Sequence, residues 1–139
     1  MNKRKLEDII AEQGKLIYTN VGDSMYPTIL PRDLLVIEAV TKPLKKYDIP
    51  LYKRDSGQYV LHRIIDIKDN SYVICGDNRT FVERGITDKH IIGVLTAIVR
   101  NGQTIAVTSP KHKLWFKSIK YRKLVFKTRN LLRRKTARL

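Results

Sequence analysis

The chain has 139 residues, 42% of them hydrophobic, with 28 Lys and Arg against 13 Asp and Glu. That size suits one folded domain with a modest core. The single cysteine, Cys75, excludes an internal disulfide. The net charge of +15 resembles a nucleic-acid signature until it is located: residues 111–139 hold 12 of the basic residues, and no acid follows Asp88. The body up to residue 110 is nearly neutral, which argues against nucleic acid as its partner. Residues 1–14 begin basic, but no apolar stretch of signal-peptide length follows. No window approaches the roughly 20 apolar residues that cross a bilayer. The expectation is a chain with neither signal peptide nor transmembrane helix, cytoplasmic or peripherally membrane-associated.

Leu6, Ile9 and Ile10 have helical spacing, and Gly14 is a natural stop, so a short helix is predicted first. Residues 15–21 read as a strand and 22–33 as a loop. Leu34 to Val40 reads as a well-buried strand. Asp48 to Lys53 reads as a short strand, with Pro50 pointing to an edge or a bulge. Gln58 to Lys68 reads as one long strand that turns at Asp69-Asn70-Ser71 and returns over Tyr72 to Cys75. Gly76 to Lys89 reads as a long polar loop. His90 to Val99 and Gln103 to Thr108 form a hairpin around Asn101-Gly102. Many short strands with tight turns predict a mainly β fold, a partly closed barrel or coiled sheet. Residues 1–110 are assigned to that domain and 111–139 to a basic helical tail.

The chemistry concentrates in Gly22-Asp23-Ser24-Met25-Tyr26-Pro27-Thr28. Glycine opens backbone angles closed to other residues, and proline fixes its own φ. Such a turn holds Ser24 at the lip of a sheet. An ordinary turn between strands has the same composition. A serine hydroxyl needs a nearby base to attack at neutral pH. Histidine suits this, and His62 lies on a strand where Val60, His62 and Ile64 share one face and Arg63 points to the other. An isolated histidine of this kind is more often a core residue bonded to backbone. His90 and His112 have no such context and read as surface residues. No metal-ligand spacing and no cofactor motif is present.

Three stretches occur in order: Gly22 to Thr28, His62-Arg63-Ile64, and Gly76-Asp77-Asn78. Together they resemble the conserved boxes of the signal peptidase I and LexA-like serine peptidase superfamily. Tyr47-Asp48-Ile49-Pro50-Leu51-Tyr52 resembles a further strand of that family. His62 places the resemblance closest to the histidine type, found in endoplasmic-reticulum and archaeal signal peptidases. The resemblance implies a β-rich catalytic domain, with Ser24 as nucleophile, His62 as base and Asp77 as orienting acid. It also implies an extended peptide as substrate, in a groove shaped by Gly22, Met25 and Pro27. Gly22 stands where bacterial members carry an oxyanion serine, so the oxyanion would depend on the main-chain N–H of Ser24 or Met25. The residues after Asn78 depart from the family, and either Glu83 or Asp88 is a candidate second carboxylate.

The expected function is a serine endopeptidase of signal-peptidase-like type that cleaves a leader or signal segment. The alternative is an inactive peptidase-like module that binds peptide or tethers a partner at a membrane. Residues 111–139 interleave aromatic and aliphatic side chains with charge, which suits an anionic membrane surface; electrostatic binding of nucleic acid or an acidic partner is the competing reading, and a solvated, partly docked helix the plain one.

Overall fold

The computed structural model describes residues 4–107 and 127–134. The fold is mainly β, with a curled half-barrel sheet, a short N-terminal helix and a C-terminal helix. Helix α1, Leu6–Gln13, ends where Gly14 turns left-handed at φ 72°, its N–H bonded to the Ile10 carbonyl at 2.7 Å. Nine strands follow: β1 Lys15–Thr19, β2 Leu34–Glu38, β3 Pro50–Lys53, β4 Tyr59–Leu61, β5 Arg63–Lys68, β6 Ser71–Cys75, β7 Glu83–Ile86, β8 Ile91–Arg100 and β9 Gln103–Ala106. Helix α2 covers 127–134. The other tail residues, among them His112, Trp115 and Phe116, lie outside the described residues.

One sheet runs β1-β2-β8-β3-β4, with β9 also on β8; the second is β5-β6-β7. All pairings are antiparallel. Strand β8 organises the first sheet. One of its edges carries β2; the other carries β3 along Ile91–Val94 and β9 along Ala97–Arg100. At Gly93 a Cβ would meet Ile37 Cγ2 at 2.8 Å and Ile10 Cδ1 at 3.1 Å, so only glycine lets α1 pack this closely on the sheet. Both predicted hairpins form. Asp69 and Asn70, and Asn101 and Gly102, all have positive φ, as a two-residue type I′ turn requires.

Two apolar clusters fill the molecule. Met25, Ile29, Leu35, Ile37, Leu51 and Ile98 belong to the one beneath α1. Tyr52, Val60, Ile64, Tyr72 and Ile74 belong to the other. Each fully buried aliphatic side chain contributes about 1.5–3 kcal/mol.

Several expectations are corrected. The stretch from Gln58 to Lys68 is two strands, not one, because β4 pairs with β3 while β5 leaves for β6. His62 sits at the break. Strand β3 is interior, so of the two expectations for Pro50 the edge fails and the bulge stands: Pro50 is the first residue, and a register shift follows at Leu51/Tyr52. In β2 only Leu35 and Ile37 are buried, so that strand is covered on one face. The stretch Gly76 to Lys89 contains β7 and a 3-10 helix over Asp88–His90. His90 is buried rather than at the surface, with Nδ1 accepting the Thr87 N–H at 3.0 Å and Nε2 lying 3.0 Å from Asp55 Oδ1.

Candidate active site

The loop between β1 and β2 is fastened from several directions. Gly22 adopts φ 92°, which favours glycine. Asn20 Nδ2 donates to the carbonyls of Gly22 and Leu30, at 3.3 and 3.1 Å. Asp33 accepts the Leu30 N–H at 2.7 Å and the Arg100 guanidinium at 2.9 and 2.6 Å. Burial alone would raise the Asp33 carboxyl, but Arg100 and the Leu30 N–H outweigh it and hold it below its ordinary value. The Tyr26–Pro27 peptide bond is cis. Ser24 thus belongs to a loop fastened through Asn20, Asp33 and Arg100.

The loop after β6 clasps this one. The Asn78 N–H donates to the Ser24 carbonyl at 2.8 Å, and Asn78 Nδ2 to the Asp23 carbonyl at 3.1 Å. Arg79 pairs with Asp23 at 2.8 Å. Gly76 lies at the centre of the clasp. A Cβ there would be 2.8 Å from the Ser24 carbonyl oxygen and 3.2 Å from His62 Cδ2. The serine backbone and the histidine ring therefore converge on one α-carbon.

Ser24 and His62 line the same groove, about 540 Å³ in volume. Its walls come from the edge strands β1 and β4, with Tyr18 on one side and Tyr59 to Leu61 on the other. Met25 lies at its base, and Glu83, Arg54 and Arg79 bring charge to it. Among the described residues no hydrogen bond joins the Ser24 hydroxyl to the His62 ring, and neither the Ser24 nor the Met25 N–H is spent on a protein acceptor. Burial and then the positive charge of Arg54 push His62 down to about 4; Glu83 and Asp77 pull the other way. The ring is neutral at pH 7, as a base must be.

Asp77 is engaged elsewhere. Arg63 forks onto it, Nε to Oδ1 at 2.8 Å and Nη2 to Oδ2 at 2.7 Å, and the Thr28 hydroxyl donates to Oδ2 at 2.5 Å. Both side chains of the pair are 0% exposed. The Asp77 N–H points at Met25 Sδ, 3.4 Å away. This centre holds the serine loop to the strands, and Asp77 is not among the groove-lining residues. Its charge also acts on the His62 ring, in the sense that favours the protonated form.

The two candidate second carboxylates separate. Glu83 lines the groove, its Oε1 accepting from Tyr52 at 2.6 Å and Arg54 Nη2 at 2.9 Å, its Oε2 from Arg54 Nε at 2.8 Å. Burial would raise this carboxyl; Arg54 and Tyr52 overcome it and keep it below its ordinary value. Asp88 is bonded to the Tyr72 hydroxyl and lines a different cleft, beside Glu7 and Val40. Pro27 and Gly22 are exposed and do not line the groove, unlike Met25. The Tyr52, Arg54 and Thr28 contacts were missed by sequence reasoning. Thr28 had a signal, since it closes the serine box; Tyr52 and Arg54 had none.

Among the described residues no cluster of three His, Cys, Asp or Glu side chains is placed to hold a metal ion, and no helix is long and apolar enough to cross a membrane. Comparison with protein-family models, curated proteins and solved structures finds no match.

Proposed function

We propose that the protein is a serine endopeptidase of signal-peptidase-like type, cleaving a leader or signal segment of a peptide. The observation that carries this reading is the convergence of Ser24 and a neutral His62 on Gly76, in a groove between two strand edges. An extended peptide would lie along β1 and β4, its main chain completing the ladder. Ser24 Oγ would attack the scissile carbonyl carbon while His62 takes the hydroxyl proton. The oxyanion would be met by the N–H groups of Ser24 and Met25. His62 would then give its proton to the departing amine nitrogen as the C–N bond breaks, and water would later release the acyl group by the same route. Contacts in a free enzyme are often longer than hydrogen bonds and tighten around substrate.

The test is cleavage of a leader-peptide library together with labelling by a fluorophosphonate. Wild type should cleave and label at Ser24, and Ser24→Ala should do neither. Equal cleavage by the variant would overturn the reading.

A second reading, a non-catalytic peptide-binding or membrane-tethering module, is favoured by the missing Ser24–His62 hydrogen bond and by the engagement of Asp77 with Arg63. Peptide binding with no labelling of wild type would select it. In either reading residues 111–139 are assigned to an anionic membrane surface. Within α2, Leu131 and Leu132 are exposed beside Arg133 and Arg134. Deleting 111–139 should abolish binding to anionic vesicles, and retained binding would refute the assignment.

A further inference from the structure

Among the described residues the two most exposed large apolar side chains are Val21, at 91%, and Phe81, at 79%. Both line the groove that holds Ser24 and His62, whereas the exposed Ile17, Tyr26, Leu34 and Ile67 do not. One apolar side chain in water needs no explanation; two on one groove, from two different loops, do. Val21 belongs to the serine loop between β1 and β2, and Phe81 to the loop between β6 and β7 that clasps it. Asp23, two residues after Val21, pairs at 2.8 Å with Arg79, two residues before Phe81. Asn20, just before Val21, is tied to the carbonyls of Gly22 and Leu30. The two side chains are therefore carried on segments joined directly to one another, beside the nucleophile. The cations of the groove already have partners, Asp23 for Arg79 and Glu83 for Arg54. The contact still to be made is apolar.

Resting on the serine-peptidase reading, we propose that Val21 and Phe81 determine which bond is cleaved, by taking between them one bulky aliphatic or aromatic side chain of the peptide. A peptide of small side chains would leave both residues in water after it bound. Val21 stands three residues before Ser24, a span of at most about 11 Å. An extended peptide advances about 3.3 Å per residue, so the anchoring side chain lies within about three or four residues of the scissile bond. The main-chain ladder grips the peptide in any register. Burial of the anchor favours the one register that brings a particular carbonyl to Ser24 Oγ. Affinity follows the main chain, and the choice of bond follows the side chain. The substrate class this names is an extended peptide marked by a bulky apolar residue near its cleavage point.

The experiment gives the full chain a series of peptides built from Ala, Ser and Gly, each carrying one Leu at a different position, and maps the products by mass spectrometry. In wild type the cleaved bond should sit at a constant offset from the Leu and move with it, favoured about tenfold over neighbouring bonds. Phe81→Ser and Val21→Ser should each spread cleavage over several bonds, and Phe81→Leu should restore the single offset. Both residues are exposed, so these substitutions leave the core untouched. If wild type cleaves the series at bonds that do not follow the Leu, the inference is overturned while the peptidase reading stands. The same holds if cleavage follows the Leu equally well in Phe81→Ser and Val21→Ser, or if wild type cleaves leader-library peptides but none of the Leu series. If wild type cleaves neither and a fluorophosphonate does not label Ser24, the peptidase reading fails, and with it any bond to select.

Discussion

The protein builds the same device twice. In each, an arginine forks onto a carboxylate and a hydroxyl donates to one of the oxygens: Arg63, Asp77 and Thr28 in one, Arg54, Glu83 and Tyr52 in the other. The first is shut away at 0% exposure; in the second, Arg54 keeps 30% and Glu83 19% of their side-chain surface open. Burial decides what each can do. Removing one partner of a sealed pair strands a charge where water cannot reach it. Removing one partner beside a groove leaves the other to solvent at little cost. The sealed device suits holding elements together; the open one has a field that extends into the groove.

The largest expected effect follows from the sealed device. Arg63→Met should destabilise the fold by about 3–5 kcal/mol in chemical denaturation, because Asp77 loses both of its ionic hydrogen bonds. Arg54→Met should cost about 1 kcal/mol or less. Equal losses would erase the contrast between the two. Gly76→Ala is next. Its Cβ would press on the Ser24 carbonyl at 2.8 Å, backbone that the Asn78 N–H also holds. The expected stability loss is about 1–3 kcal/mol, and the displaced Ser24 should label about a hundredfold more slowly. Labelling at the wild-type rate would show that the clasp does not set the serine.

A further effect, read against pH, concerns acid. His62 is held near 4 in the fold against an ordinary value near 6.5, so the unfolded chain binds the extra proton in between. Stability contributed by the neutral ring is therefore intact above about pH 6.5 and falls, at up to ~1.4 kcal/mol per pH unit, as the pH drops towards 4. His62→Leu should flatten that slope. An unchanged slope would mean that the ring is not held neutral by its surroundings.

Much of the fold was legible from local chemistry. The turns at Asp69-Asn70 and Asn101-Gly102 carry their backbone angles in their residue types, and Gly14 marks the end of α1 for the same reason. The split at His62 was not legible, because an alternating run reads alike whether or not its hydrogen-bonding partner changes midway. The meeting of Ser24 and His62 in one groove was anticipated from the order of the motifs. The partner of Asp77 was not: Arg63 was placed on the face away from His62, yet nothing in a linear chain told that this face was where Asp77 would arrive. Glu83 and Asp88 differ by five positions and looked equivalent. What separates them is the side chains of Tyr52 on β3 and Arg54 just after it, contacts 31 and 29 positions away.

Strands β1 and β4 end the larger sheet on its two sides, and both border the groove. Main-chain groups along such a border are alike for every amino acid except proline. A visiting chain would therefore be gripped first without regard to its sequence, and selectivity would have to arise at the few side chains around Ser24. Unrelated extended peptides should compete for the groove in proportion to their length rather than their composition.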